Sequence, residues 1–357
     1  MFITTLKLTN YRNFEQQTFR FDKERTSVCA DNASGKSNLL EAIYFLAIGK
    51  SGRGARDRDV VRWGESFFRI EATVQTSETV SLAIAYDAAL GKKRALRDDV
   101  PLPRLSDLIG ALNAVLFSPE DVDLVLRDPP QRRRLLDILV SQSSASYLSD
   151  LEVYRRVLAQ RNRLLKERPA GVRDQLPAWN TQLSDLGARI IRQRLETLQR
   201  MLQPVGDFYR QIGQSSEQLE PIYRSPVGSE DGARAAEVLR SALETRTEEE
   251  LRLGFTLAGP HRDNLVFQLD GHPAHRFASK GQMKSVLLSW KLAEATYLEQ
   301  ETGHKPVMLL DDIFSELDRG RARSLLEMIR SFGQVVLTTA RDPDLDFGAQ
   351  GFSRVEL

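Results

Sequence analysis

Only one of the 357 residues is cysteine, Cys29. That excludes an internal disulfide and any zinc site built from several cysteines, and it suits a reducing compartment. Aromatic residues make up only 8%, and no aromatic-rich strand of the RNA-recognition kind occurs, so stacking on single-stranded nucleic acid has little support. No apolar run approaches the ~20 residues that cross a bilayer. Residues 1–10 lack a signal-peptide pattern. The expectation is a soluble, cytoplasmic protein with no membrane partner. Charge of one sign is also missing: 50 Lys and Arg face 49 Asp and Glu. Net charge therefore gives no reason to expect a polyanionic partner, and such a surface needs local segregation of charge. What is present is ordinary globular composition, 41% apolar and 28% charged, at a length that suggests two or three folding units.

The two ends read as α/β and the middle as helical. Residues 2–8 and 19–21 alternate like strands, and 26–30 form a short run before a loop. Residues 38–48 have helical spacing through Leu39, Leu40, Ile43, Leu46 and Ala47. Residues 68–76 and 79–86 flank a polar turn and predict an antiparallel hairpin. Ser118-Pro119-Glu120-Asp121 predicts a helix start, with a serine cap, a proline in the first turn and acids facing the positive end. Asp128-Pro129-Pro130 predicts a second. From there to about Glu250 the pattern is mostly helix, with breaks near Pro169-Ala170-Gly171 and at 225–232. Strand character returns at 264–269, 307–310 and 334–338. The last two are continuous apolar runs, typical of parallel strands buried on both faces.

Ala30-Asp31-Asn32-Ala33-Ser34-Gly35-Lys36-Ser37 lies between the strand at 26–29 and the helix from Asn38. In that context successive backbone N–H groups and a helix N-terminus face phosphates. Lys36 would reach the β/γ-phosphates and the Ser37 hydroxyl would ligate Mg²⁺. The alternative is a glycine-poor turn that contains Gly-Lys-Ser. Alanine stands at 30 and 33 where such loops usually carry glycine. A left-handed alanine costs roughly 1–2 kcal/mol, which predicts a strained or reshaped loop.

Two distal motifs agree with phosphate binding. The run from Val307 delivers Asp311 and Asp312 to the C-terminal end of a buried strand, where ligands sit in open α/β sheets. Asp311 is the metal-side carboxylate and Asp312 the group that polarises an attacking water; the alternative is two acids capping the next helix. Asp318 follows Ser315-Glu316-Leu317 and either belongs to the nucleotide site or caps the helix 319–329. Ser279-Lys280-Gly281-Gln282 opens the long helix 283–300 and could form a second anion site, with glycine allowing close backbone approach. A capped amphipathic helix is the alternative there. Lys36 and Asp311 lie more than two thirds of the chain apart, an order unlike most P-loop enzymes.

Charge segregates in one place. Residues 127–173 hold eleven basic side chains against five acids, whereas Glu248-Glu249-Glu250 shows the opposite bias. Arginine enrichment suits contact with backbone phosphates rather than base reading. Arg132, Arg133, Arg134, Arg155, Arg156, Arg161 and Arg163 are the candidate duplex contacts; a solvated helix face with intrahelical ion pairs is the alternative. His261-Arg262-Asp263 could touch nucleotide or DNA, or form a turn whose side chains satisfy one another.

The order of these motifs resembles the ABC-type ATPase heads of the SMC and Rad50 class. Leu8-Thr9-Asn10-Tyr11-Arg12-Asn13, Phe117-Ser118-Pro119-Glu120-Asp121, Pro130-Gln131-Arg132-Arg133-Arg134-Leu135-Leu136-Asp137, Gly259-Pro260-His261-Arg262-Asp263 and residues 309–318 extend the likeness to the RecF family of recombination mediators. The chain departs from that family at Ala30, Ala33 and Arg127, where glycine is usual. It also has no histidine at 338–340 of the kind transporter ATPases carry, which implies slow hydrolysis.

The resemblance implies an α/β fold: an ABC-type P-loop ATPase head with a mixed sheet, built from 1–125 and 251–357, with a helical arm inserted at 126–250. It implies ATP and Mg²⁺ as cofactors, Asp312 as the catalytic residue, and Arg12 as a phosphate contact, although a surface arginine is equally consistent there. Lys36, Ser37, Asp311 and Asp312 of one subunit would face Ser279, Gly281 and Gln282 of a second, giving a dimer that closes on ATP. DNA, RecO and RecR are the implied partners, RecA loading at single-strand gaps the output, and weak, DNA-stimulated ATP hydrolysis the release switch. Readings of other classes are an SMC- or Rad50-type tether, a transporter ATPase module and a non-hydrolysing scaffold. The middle segment of about 120 residues reaches at most ~60–90 Å when folded back once, and the chain lacks hook cysteines; both disfavour the tether. The inserted arm and the start at 10–13 argue against the transporter. Ala30 and Ala33 keep the scaffold open.

Overall fold

Uninterrupted runs of Val and Leu make strands that can be covered on both faces, and they form the centre of a five-stranded parallel sheet in the computed structural model. The structure describes all residues except 32–33, 119–127, 214–215, 227–233, 340–346, 349–350 and 356, together with the side chains of 315–316. The expected helix start at 119–121, the departure at Arg127 and most of the expected break at 225–232 lie outside the described residues.

In chain order the elements begin with β1 (Phe2–Tyr11), β2 (Phe14–Arg20), β3 (Arg25–Cys29), α1 (Lys36–Ile48), β4 (Phe67–Gln75), β5 (Thr79–Asp87), β6 (Lys92–Arg97), β7 (Val100–Pro101) and β8 (Ala114–Phe117). Next come α2 (Pro129–Ser143), α3 (Ala145–Glu167), α4 (Val172–Gly213), β9 (Leu219–Arg224), α5 (Ala235–Thr245), α6 (Thr247–Leu253), β10 (Asn264–Leu269), β11 (His272–Pro273) and α7 (Ala274–Phe277). The chain closes with α8 (Lys280–Thr302), β12 (Val307–Asp311), α9 (Arg319–Ile329), β13 (Val335–Thr339) and β14 (Ser353–Val355). These divide into two compact units, one of residues 1–123, 204–217 and 279–357, the other of 124–203 and 218–278.

The first unit contains an antiparallel sheet of order β2-β1-β4-β5-β6-β7 and the parallel sheet of order β14-β3-β13-β12-β8. The hairpin expected at 68–86 is β4 and β5, closing at Gln75 opposite Thr79. Every residue of β12 and β13 is buried, and α1 packs against β8, β12 and β13. Tyr11, Phe45 and Phe68 meet edge-to-face at 5.5–6.3 Å between centroids, tying α1 to the antiparallel sheet. Parallel register sets Cys29 beside Thr339 and Asp311 beside Thr338. The C-terminal ends of β3, β13 and β12 therefore reach one sheet edge, and β3 leads straight into the loop at Ala30.

The second unit is not purely helical. β9 pairs antiparallel with β10, Leu265 opposite Tyr223, in a three-stranded sheet of order β11-β10-β9, and α2 packs against β10. Residues 130–250 are mostly helix, as their pattern predicts, and β9 is the strand that the pattern did not show. Pro221 weakens the strand signal of β9, yet an edge strand tolerates proline because one row of its N–H groups has no ladder to join. The first unit's opening segment ends at 123, close to the boundary expected at 125/126, while the β9–β10 pairing carries 251–278 into the second unit, which ends at 278 rather than at 250. Among the described residues no helix is long and apolar enough to cross a membrane.

Candidate functional site

The phosphate-type loop is held shut by its own lysine. Lys36, the first residue of α1, is buried, and its Nζ donates to the carbonyl oxygens of Ala30 at 2.5 Å and Asp31 at 2.9 Å. Gly35 caps α1 with φ 103°, a left-handed value that glycine adopts without strain. A Cβ there would fall onto the Asn13 amide. That amide pins the turn: Asn13 Nδ2 donates to Ser34 O at 3.1 Å and its Oδ1 accepts from Asn38 Nδ2 at 2.9 Å. No side chain caps α1 and no acid occupies its first turn, so its positive end is available to an external anion. Ala30 is not among the described residues with positive φ, so the strain expected there does not arise. Asn32 and Ala33 lie outside the described residues.

The acidic strand ends at this loop. Ser37 Oγ and Thr338 Oγ1 donate to Asp311 Oδ1 at 2.8 and 2.7 Å, and Arg53 Nη2 reaches Oδ2 at 3.2 Å. Asp312 breaks the strand with φ 45°, and its backbone N–H is shared between the Thr338 carbonyl and hydroxyl, both at 3.1 Å. The oxygen donors at Ser37 and Asp311 suit a hard cation such as Mg²⁺, which takes one or two protein oxygens and completes its shell with phosphate and water. Among the described residues no group of three or more His, Cys, Asp or Glu forms a self-sufficient metal site.

Arg12 does not stand free for a phosphate. Its Nε and Nη2 both reach the buried Glu41 carboxylate at 2.9 Å, and Nη1 donates to Asp59 O at 3.3 Å. Burial opposes the guanidinium charge, but Glu41 more than offsets it and raises the Arg12 pKa. Arg12, Asn13, Asn38, Asp59, Arg62 and Trp63 line an open cleft of about 510 Å³ beside the loop. The Trp63 side chain is 98% exposed. Sequence reasoning offers no reason to single out Arg53 or Trp63, because partnership with Asp311 and solvent exposure appear only after folding.

The second candidate anion site has the geometry of a capping box. Ser279 Oγ accepts from Gln282 N at 3.2 Å, while Gln282 Oε1 accepts from Ser279 N at 2.8 Å. Gln282 Nε2 also donates to Glu217 Oε1 at 2.7 Å. A Cβ on Gly281 would lie 2.8 Å from Arg321 Nη1. Asp318 caps α9, its Oδ1 accepting from Arg321 N at 3.0 Å. Among the described residues no hydrogen bond joins Ser279 or Gln282 to Lys36 or Ser37.

Two of the seven candidate DNA-contacting arginines are interior. Arg161 is fully buried; its Nη2 pairs with Glu250 at 2.6 Å, Nε with Asn180 at 3.0 Å and Nη1 with Thr256 at 2.8 Å. Arg132 is buried with its fork on Asn264 Oδ1 at 3.0 and 3.2 Å. Neither can reach a duplex, which corrects the expectation for both. Arg133 is half-buried and donates to Asp263 O at 2.8 Å; Arg134 is also half-buried. Arg155 is exposed and pairs with Asp137 at 3.2 Å, Arg156 is exposed, and Arg163 forms a surface pair with Glu167 at 2.8 Å. The acidic run turns back on the arginine-rich segment through Arg173 and Glu248 at 3.0 Å.

The motif 261–263 satisfies itself within the second unit. Tyr154 Oη lies 2.7 Å from His261 Nδ1 and His261 Nε2 lies 3.2 Å from Thr256 O. The carbonyl must accept, so the proton sits on Nε2 and Nδ1 accepts from the tyrosine. Burial, reinforced by Arg262 and Arg133, lowers the His261 pKa to about 4. Burial also raises the Asp263 pKa despite its bond from Tyr223.

Comparison with known proteins shows the family to which the chain belongs. The family described as RecF/RecN/SMC N terminal domain matches residues 2–355. The DNA replication and repair protein RecF of Geobacillus thermodenitrificans (strain NG80-2) is 38% identical over 347 residues, 95% of this chain and 92% of that protein. The protein of the same name from Bacillus mycoides (strain KBAB4) is 36% identical over 345 residues, again 95% and 92%. A solved structure of the recombination mediator protein RecF with ATP, of the RecFOR pathway, is 32% identical, covers 96% of this chain and 93% of that one, and superposes with a TM-score of 0.90. An Smc head bound to the C-winged helix domain of ScpA shares the fold at 14% identity, TM-score 0.55, covering 96% and 90%. The chain belongs to the RecF family, within the wider RecF/RecN/SMC group of ABC-type ATPase folds.

Proposed function

We propose that this chain is an ATP-switched recombination mediator that binds DNA as a dimer and, with RecO and RecR, promotes RecA loading at single-strand gaps. The observation that carries the reading is the meeting of Ser37 with Asp311 at the uncapped end of α1. The RecF relative solved with ATP in the RecFOR pathway supports the nucleotide and the partners. On this reading the first unit is the ATPase head and the second the DNA-contacting arm, and the protein works in the cytoplasm.

The residues fit the nucleotide. Lys36 Nζ would turn from the carbonyls of Ala30 and Asp31 toward the β/γ-phosphates, the N-terminal backbone of α1 at Gly35, Lys36 and Ser37 would face them, and Ser37 and Asp311 would hold Mg²⁺. Bound there, the cation would draw charge from the phosphate oxygens. Asp312 orients the attacking water and accepts its proton. Ser279, Gly281 and Gln282 of a second copy complete the site, and Asp318 acts beside it by setting the start of α9. The arrangement is isologous, so both sites close together. Hydrolysis is weak, stimulated by DNA, and serves release. The cleft ending at Trp63 receives the base. Arg133, Arg134, Arg155, Arg156 and Arg163 are the duplex contacts that remain after Arg132 and Arg161 are removed from the set.

Light scattering of the Asp312→Asn protein, with and without Mg-ATP, tests the reading. The expected result is a monomer that becomes a stable dimer on nucleotide. A monomer at saturating Mg-ATP refutes the shared site. Retention of nucleotide binding and DNA function by Lys36→Met would make the site vestigial and the protein a scaffold.

A further inference from the structure

Two segments that carry the family resemblance, 130–137 and 259–263, have no part in the nucleotide site, yet they come together in the second unit. They form a cleft of about 180 Å³ whose walls include Arg133, Arg134, Arg155, Arg194 and a single carboxylate, Asp137. Asp137 is already engaged, accepting from Tyr147 at 2.6 Å, Arg194 at 2.7 Å and Arg155 at 3.2 Å. Arg194 is buried, and its nitrogens are held by Asp137, Tyr147, Tyr223 and the Pro260 carbonyl. Its charge therefore cannot move away.

His261 forms part of the wall and is neutral near pH 7, so it neither adds to the positive charge nor cancels it. Among the described residues Arg133 uses one nitrogen, on Asp263 O. Its pKa is lowered by burial first and by the neighbouring Arg194 second, against the opposing pull of Asp137 and Asp263. An oxyanion in the cleft would add to that pull. Guanidinium forks bind tetrahedral oxyanions bidentately, and the volume is below the roughly 300 Å³ at which pockets begin to hold whole small molecules.

We propose that this cleft is a binding site for one phosphate group, gripped by Arg133, Arg134 and Arg155 against the immobile Arg194. The site is independent of the ATP switch. Its source is either a phosphate of bound DNA, which rests on the duplex-binding reading above, or free inorganic phosphate, which does not.

The test uses the full chain labelled at its 4 histidines, with His261 as the reporter. Inorganic phosphate is titrated at constant ionic strength, and a short duplex is titrated separately. The expected result is a saturable shift of the His261 ring resonances with phosphate. In Arg134→Gln/Arg155→Gln the shift is lost, while the melting profile and Mg-ATP binding are retained. Arg155→Gln alone, at an exposed position, repeats the comparison should the double variant fold poorly. If the duplex also moves His261 and the variant binds it about tenfold more weakly, DNA is the source. If duplex affinity is unchanged while the phosphate response is lost, the site stands with free phosphate as its ligand. No saturable shift with phosphate, or an equal shift in the variants, overturns the proposal whatever the ATP-dependent dimer does.

Discussion

Ser37 Oγ donates a hydrogen bond to Asp311 Oδ1 at 2.8 Å, across 274 positions of sequence. The contact joins the first turn of α1 to the end of β12, and on the proposed reading these two side chains would hold the cation. Ser37→Ala and Asp311→Ala should each weaken Mg-dependent nucleotide binding. If the two side chains hold one ion, as proposed, the double variant should lose less than the sum, with a coupling of about 0.5–3 kcal/mol. Calorimetric titration with Mg-ATP, and again with EDTA present, measures it; additive losses would separate the two residues.

Asp312 has a left-handed backbone, φ 45°. Asn populates that region readily and β-branched residues do not. Asp312→Asn should therefore unfold at the same urea concentration as the parent while losing hydrolysis. Asp312→Val should lose hydrolysis and also about 1–2 kcal/mol or more of stability.

Arg161 and Arg163 are two residues apart in an arginine-rich helix and have opposite fates. Arg161→Ala leaves Glu250 buried without its cation and should cost about 3–5 kcal/mol. Arg163→Ala removes only a solvent-screened surface pair with Glu167, and its urea midpoint should not move. Denaturation followed by circular dichroism distinguishes them. Equal midpoints would mean that Glu250 finds another partner.

His261 is held neutral, its pKa lowered from 6.5 to about 4 chiefly by burial. The unfolded chain binds this proton at a higher pH than the folded one, so stability falls with acidification. The contribution is complete above about pH 6.5 and is lost as pH drops to about 4, amounting to about 3 kcal/mol. Unfolding free energy measured from pH 7 to 4 should fall more steeply for the parent than for His261→Gln. Parallel curves would show that the imidazole is not held neutral.

Trp63 presents a fully exposed indole at the rim of the cleft beside the phosphate loop. Base–aromatic stacking is worth about 1–3 kcal/mol, so Trp63→Ala should bind Mg-ATP about tenfold or more less tightly. Inorganic triphosphate, which has no base, should bind both proteins alike. A loss common to both ligands would place Trp63 in loop support instead.

Periodicity and local chemistry made much of the architecture legible. Continuous apolar runs at 307–310 and 334–338 announced buried parallel strands, and β12 and β13 occupy those positions. Ser279 and Gln282, three residues apart, foretold the start of α8, as Asp318 did for α9. β9 was not legible: its proline argues against a strand, and only its place at the sheet edge makes that proline harmless.

What the sequence determined by itself is what neighbours along the chain settle between them: the apolar runs, the caps, the glycine at the lysine loop, and the order of motifs that marks the family. The fold decided which like-looking side chains are available. Arg132 and Arg161 sit within the same arginine-rich segment as Arg155 and Arg156, yet the first pair is interior and the second exposed. Burial, and the partners Asn264 and Glu250 that make it tolerable, come from residues about ninety or more positions away. A charge can be kept from water only where distant chain supplies its counter-charge or hydrogen bonds, and that supply exists only once the sheets and helices have packed.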